Sequence, residues 1–266
     1  FLANEAQALD HIHRGAHVSA VQTQAMTKAY YNTDSMYRYH SGCSGGGRMG
    51  VMAATYHPED FDGLLIGAPG IDTTNILNFM WMSQQLNKLP QCDASDGAID
   101  QMVWDPRKCD YEPAQMLCEQ GQDQAACFTA QELEVVKSII AGPRSPTGEV
   151  LYPGLVDVTP TGWVSFLEMG AEMISTSFSQ AYFGDDYEFM TDFDFNDQKN
   201  IDAWRAAVAR TGYGVRASAD YSGVENAGAK VIFWHGVSDA AISFRDQLRY
   251  YEAIRENTGD EAVPAL

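Results

Sequence analysis

Positive charge is scarce in this chain. Its 266 residues hold 17 Lys and Arg against 36 Asp and Glu, giving a net charge of −19 and a pI near 4.5. Such a surface repels phosphates, which excludes nucleic acid and anionic membranes as expected partners. No run approaches the roughly 20 apolar residues of a membrane span. Phe1-Leu2-Ala3-Asn4 has neither the charged nor the apolar region of a signal peptide, and no initiator Met precedes it. The numbering is therefore expected to start inside a longer precursor. Cysteine is sparse and uneven. Of five, Cys92, Cys109, Cys118 and Cys127 share one polar stretch, with no C-x-x-C spacing and no histidine among them. That argues against zinc and for two short-loop disulfides in an extracytoplasmic protein, secreted or periplasmic. Cys43 is left over, either as a buried free thiol or as the partner of a cysteine outside this sequence.

Glycine, by contrast, is concentrated where chemistry would need it. Gly42-Cys43-Ser44-Gly45-Gly46 fits G-x-S-x-G, in which a strand turns abruptly into a helix with an exposed serine at the apex. Small neighbours let the two elements approach closely and tolerate the strained backbone. The context agrees. Met36 to Ser41 reads as a strand entering the turn, and Gly46 to Tyr56 as a largely apolar helix ended by His57-Pro58. Gly63-Leu64-Leu65-Ile66-Gly67 is a short apolar run that suits a strand buried on both faces of a parallel sheet. Strand, serine turn, helix and buried strand make one βαβ unit of a serine hydrolase core.

Upstream, Gly15 to Tyr31 reads as a helix with Val18, Val21, Ala25 and Ala29 on its apolar face. His11, His13 and His17 cluster there and read as exposed or helix-packing histidines. From about Ile71 to Gly228 the chain changes character. It carries the clustered cysteines, the turn-rich Gly142 to Gly148, and a dense aromatic stretch from Phe178 to Phe195. This region reads as an inserted lid domain (residues 71–228) between two parts of a hydrolase core, 1–70 and 229–266. Its aromatics are partly its own core and partly candidates for lining a cleft. The core resumes at Lys230 to His235, a strand, followed by the turn Gly236-Val237-Ser238-Asp239 and a helix from Phe244 to Asn257. An aspartate just past a core strand is where this fold places its triad acid, in the order Ser, Asp, His. Asp93, Asp96 and Asp100 lie close together around Gly97; the residues alone suit a solvated acidic turn and a hard-cation site equally.

Taken together, Gly42 to Arg48, His57 to Pro69, Cys92 to Gly97 and His235 to Asp239 resemble the tannase and feruloyl esterase family of α/β hydrolases, which includes mono(hydroxyethyl) terephthalate hydrolase. The resemblance covers nearly the whole chain. It implies a mostly parallel sheet flanked by helices, with a large inserted lid. It also implies a serine esterase that hydrolyses esters of aromatic acids of feruloyl or galloyl type through an acyl-enzyme. Ser44 would be the nucleophile, Asp239 the triad acid and the Gly45 N–H an oxyanion donor. A structural Ca²⁺ would be held by the side chains of Asp93, Asp96 and Asp100 and the carbonyls of Ala98 and Met102. The implied disulfides are Cys92–Cys109 and Cys118–Cys127, with Cys43 bridged to a cysteine that follows the catalytic histidine. This sequence departs from the pattern, since no histidine or cysteine follows Asp239. Both are expected outside it, on a longer chain or on a second polypeptide from the same precursor. His40 and His235 stand in the wrong order to replace that histidine. No organic cofactor is implied. The partner is a small aromatic ester, with a terephthalate monoester as the alternative. A second reading is an inactive, calcium-stabilised binding protein on the same scaffold.

Overall fold

The computed structural model describes residues 4–85, 113–119, 129–155, 171–212, 214 and 216–259. The chain divides into two compact units, each with its own packing. The first comprises Phe1–Thr73, Arg205–His235 and Phe244–Leu266; the second comprises Thr74–Trp204 and Gly236–Ser243.

The first unit opens with α1 (Glu5–Leu9), capped by the Asn4 side chain, which accepts from the Gln7 N–H. A π-helical turn, Asp10–Arg14, leads into α2 (Gly15–Tyr31), which ends at Asn32 in the left-handed conformation. Three parallel strands follow in the order β1 (Tyr39–Cys43), β2 (Gly63–Gly67), β3 (Lys230–Trp234), with β2 central. The register aligns Cys43, Gly67 and Trp234 in one row at the C-terminal ends. Helix α3 (Gly45–Tyr56) and a 3-10 turn at Pro58–Asp60 connect β1 to β2.

Arg38 sets the other end of the sheet. Its backbone N–H and guanidinium donate to the Asp62 carboxylate, at 2.7 Å and at 2.8 and 3.2 Å. In return the N–H groups of Asp62 and Gly63 donate to the Arg38 carbonyl, which pins the starts of β1 and β2 together. The core lies on one face of the sheet. Val51, Met52 and Ala54 of α3 meet Leu64 and Ile66 of β2, together with Val224, Tyr250 and Ile254. Val224 belongs to α9 (Ser222–Ala227), and the other two to α10 (Phe244–Thr258).

Three expectations differ in detail. The strand expected at Met36 to Ser41 forms at Tyr39–Cys43, running up to the serine itself. Residues 63–67 do form a strand, and among the described residues one of its faces is covered while the other shows Leu65 at 40% exposed, with Ile232 and Trp234 exposed beside it. Among the described residues, α3, α9 and α10 all pack on the face of Leu64 and Ile66. Helix α2 spans the expected residues, yet Val18, Val21, Ala25 and Ala29 are exposed. It turns the stripe containing His17 and Gln24 inward, in line with His13 on the turn before it, because those side chains find polar partners at the end of α3.

The second unit is helical where it is described: α4 (Thr74–Gln85), α5 (Ala130–Ala141), α6 (Ala171–Phe183), α7 (Phe189–Asp192) and the start of α8 (Gln198–Thr211). Its core is aromatic. Tyr182, Phe189, Phe193, Phe195 and Trp204 are each nearly inaccessible. The rings meet edge to face, Tyr182 on Trp204 and Trp81 on Phe195 both at 5.0 Å between centroids. Such pairs add about 0.5–1.5 kcal/mol each beyond burial. The aromatic stretch thus supplies this unit's own interior. Among the described residues no helix is long and apolar enough to cross a membrane.

Candidate active site

Ser44 stands between β1 and α3 with φ 57° and ψ −117°. A non-glycine residue in this region is strained by about 1–3 kcal/mol and persists only where its surroundings hold it. Here they do. The Ser44 N–H donates to the Gly67 carbonyl at 3.0 Å, and the Ser44 carbonyl accepts from the Arg48 N–H at 2.9 Å, starting the helix. The Ala68 N–H donates to the Trp234 carbonyl at 3.0 Å, so the ends of all three strands are tied around the serine.

The glycines explain how closely the elements meet. A Cβ on Gly42 would lie 2.5 Å from the Gly46 carbonyl, and one on Gly47 would lie 2.2 Å from the Gly67 carbonyl oxygen. Gly46 has open space where its Cβ would be. The third glycine of the run, rather than the last glycine of the five-residue pattern, lets α3 lie against the end of β2.

Ser44 is exposed, and its Oγ makes no hydrogen bond among the described residues. Gly45 follows as the first residue of α3, where helical N–H groups lack intrahelical acceptors and the helix dipole favours negative charge. An oxygen developing charge beside Ser44 would meet that end of the helix. Cys43 is a free, exposed thiol at the end of β1, so it is not the buried thiol considered from sequence. Arg48 reaches across from α3 and donates to the carbonyls of Gly70 at 3.1 Å and Ile71 at 2.7 Å. It thereby holds the segment that leaves β2. Sequence reading missed this anchoring role, for which the local pattern carries no signal.

Both histidines near the strands have hydrogen-bond partners of their own. His40 sits within β1 with Nε2 3.0 Å from the Gly46 carbonyl, so it donates to backbone beneath α3. His235, just past β3, is joined through Nδ1 to the Gln247 side chain at 2.9 Å.

In the second unit, Asp239 lies in a turn closed by its own N–H donating to the Gly236 carbonyl. Its Oδ1 accepts from the N–H groups of Ala241 at 2.8 Å and Ile242 at 2.9 Å. Two backbone donors fix the carboxylate's rotamer. The turn is held in place by Ser243, whose N–H donates to Tyr152 Oη and whose hydroxyl donates to the Gly154 carbonyl, both at 2.9 Å. The expected ligands Asp93, Asp96, Ala98, Asp100 and Met102, with Cys92, Cys109 and Cys127, lie outside the described residues. Cys118 lies inside them and is disulfide-bonded.

A serine at positive φ between a parallel strand and a helix, at the C-terminal edge of the sheet, is the nucleophile-elbow arrangement of the α/β hydrolases. The chain belongs to the tannase and feruloyl esterase family, whose model matches residues 1–89 and 83–265. It is similar to the probable feruloyl esterase B-1 of Aspergillus flavus, 26% identical over 93% of this chain and 50% of that protein. Among solved structures it resembles an esterase from Aspergillus oryzae, 25% identical with a TM-score of 0.79, over 94% of this chain and 53% of the other. Feruloyl esterase B from the same organism shares the fold, at 22% identity and a TM-score of 0.80, over 97% of this chain and 56% of the other. The chain spans about half the length of these relatives.

Proposed function

We propose that this chain carries the nucleophile of a serine esterase acting on carboxylic esters of aromatic acids, of the feruloyl or galloyl kind. The observation that carries the reading is the strained Ser44, held at φ 57° with its side chain exposed at the start of α3. Ser44 Oγ attacks the ester carbonyl, forming the acyl-enzyme and releasing the alcohol; water then releases the acid. The Gly45 N–H stabilises the oxyanion of each tetrahedral intermediate. A histidine outside this sequence takes the Ser44 proton, passes it to the leaving alkoxide, and later activates the water. Asp239, its carboxylate set by two backbone donors, orients that histidine.

Family membership and the feruloyl esterase names of the relatives support ester hydrolysis and favour aromatic acids. The stretch from Thr176 to Asn200 contains no Arg and only Lys199, which gives a terephthalate carboxylate no evident clamp there. The proposal extends to an inserted lid, drawn in from the expected 71–228 to Thr74–Trp204 because Arg205 to Gly228 belong to the first unit, and to an extracytoplasmic location. It also includes a structural Ca²⁺ held by Asp93, Asp96, Asp100 and the carbonyls of Ala98 and Met102, an all-oxygen donor set of the kind calcium takes.

The test is covalent labelling of the full protein with a fluorophosphonate, alongside a panel of methyl ferulate, methyl gallate and a terephthalate monoester. The expected result is one label on Ser44, lost in Ser44→Ala together with hydrolysis of the two methyl esters. An unlabelled Ser44 in folded protein would leave the binding-protein reading in its place. Turnover of short aliphatic esters alone would refute the aromatic assignment.

A further inference from the structure

The polar stripe of α2 converges on the far end of α3. Asp60, in the turn that follows α3, is 4% exposed, and its Oδ2 lies 2.8 Å from His17 Nδ1. The Gln24 amide donates to the Asp60 backbone carbonyl at 2.8 Å, fixing that turn against α2. The His57 ring stacks on His17, 3.9 Å between centroids and 14° between planes. On its other side His57 Nε2 lies 2.9 Å from His13 Nδ1, on the π-helical turn. Donor atoms of His17, His57 and Asp60, one from each, all lie within 4.8 Å of one another.

From this convergence we propose that His17, His57 and Asp60 bind a divalent transition-metal ion of the zinc class. Two imidazoles and one carboxylate make a donor set suited to Zn²⁺ and its neighbours, whereas Ca²⁺ and Mg²⁺ select oxygen. A tetrahedral ion with bonds of about 2.0–2.1 Å holds its ligand atoms about 3.3 Å apart. Closing the donors around an ion therefore takes a rotation of the half-buried His17 and His57 side chains toward the buried Asp60 carboxylate. His57 that binds through one ring nitrogen keeps the other for His13, the outer partner that metal-bound histidines commonly have. The nearby guanidinium of Arg38 is engaged by Asp62, which leaves the buried Asp60 carboxylate to supply charge to the ion.

The site's role follows from its position. Ser44 is at the opposite end of a 12-residue helix, about 18 Å away at 1.5 Å per residue. The ion therefore takes no part in ester chemistry. It cross-links α2, whose apolar side chains are largely exposed, to the end of α3 and the start of β2. The consequence is stability, by the free energy of binding to the folded state alone.

Chelator-stripped full protein, with Ca²⁺ in excess to fill any oxygen-ligand site, is titrated calorimetrically with ZnCl₂. The same titrations are run on His57→Gln and His17→Gln. The expected result is a Zn²⁺ site of micromolar or tighter Kd and a raised Tm in the wild type. Affinity falls at least tenfold in each variant, Mg²⁺ gives no shift, and esterase activity is unchanged. Co²⁺ bound to the wild type gives the visible spectrum of a tetrahedral site, a readout that does not depend on the variants folding. Wild-type Zn²⁺ binding weaker than about 100 μM overturns the proposal. So does equal affinity in folded variants, or a Co²⁺ spectrum without tetrahedral character.

Discussion

Substitution of the two adjacent glycines at the start of α3 separates a required close approach from a sequence pattern. In Gly47→Ala the new Cβ would lie 2.2 Å from the Gly67 carbonyl oxygen and 3.0 Å from Pro69 Cα. Both contacts are backbone, so no side chain can swing away. Relief requires the N-terminus of α3 to move about an ångström from β2, and overpacking of this kind costs about 1–3 kcal/mol. The movement also strains the 3.0 Å bond from the Ser44 N–H to the Gly67 carbonyl, worth about 1 kcal/mol. Ala in place of Gly returns up to about 1 kcal/mol of helix propensity. The net loss is about 1–3 kcal/mol, with slower fluorophosphonate labelling because Ser44 loses its restraint. Gly46→Ala meets no atom within 4 Å, so only the propensity gain remains. It should be neutral or up to about 1 kcal/mol stabilising. Urea unfolding of both variants of the full protein, with labelling rates measured in parallel, gives the comparison. Equal destabilisation by the two substitutions, or a Gly47→Ala protein with wild-type stability and labelling, would refute the account of the elbow.

Three further outcomes are expected. Hydrogen bonds from Arg38 hold the Asp62 carboxyl below the usual carboxylate range. A carboxyl held down contributes stability that is complete above its unfolded pKa, about 4, and is lost as pH falls toward the folded value. Asp62→Asn should therefore flatten the acid limb of a stability–pH curve below pH about 4, by no more than about 1 kcal/mol because the pair is partly exposed. Arg216 lies between two buried carboxylates, 2.7 Å from Asp72 and 3.2 Å from Asp246. Burial, with the neighbouring charge of Asp72, raises the Asp246 pKa despite the guanidinium. A raised carboxyl favours the fold below its unfolded pKa and loses that contribution as pH rises through the folded one. At neutral pH Asp246→Asn should accordingly cost less than about 1.5 kcal/mol by denaturant unfolding. Arg216→Met should cost about 3 kcal/mol, the low end for stranding buried charges because its side chain is 35% exposed. In protein first freed of Zn²⁺, chelation of Ca²⁺ with EGTA should lower the Tm, with recovery on adding Ca²⁺ but not Mg²⁺, and Asp96→Asn should remove the response.

The elements that were legible are those whose information is local. Residues 15–31, 63–67 and 244–257 were assigned within a residue of where they form, because apolar spacing, terminal glycine and proline, and turn chemistry act over a few positions. The direction each element faces was not local. The apolar face of α2 was legible, but which face turns inward was not: the His17–Asp60 and Gln24–Asp60 contacts join residues 43 and 36 positions apart, and nothing in the helix's own sequence names those partners. The same holds for His11, His13 and His17. Read alone they form a cluster of histidines; the Asp60 carboxylate and the His57 ring that join His17 in a donor set arrive from the other end of a βα unit.

The strand, the turn and the helix around Ser44 were thus determined by the sequence itself, since a run of small residues between an extended and a helical segment allows few conformations. What only the tertiary structure decided is which of those small residues is indispensable. Gly46 and Gly47 are identical in sequence, and their difference is the Gly67 carbonyl, brought against one and not the other by the parallel pairing of β1 with β2. Contacts between segments distant along the chain depend on sheet order and register, and short-range pattern contains neither.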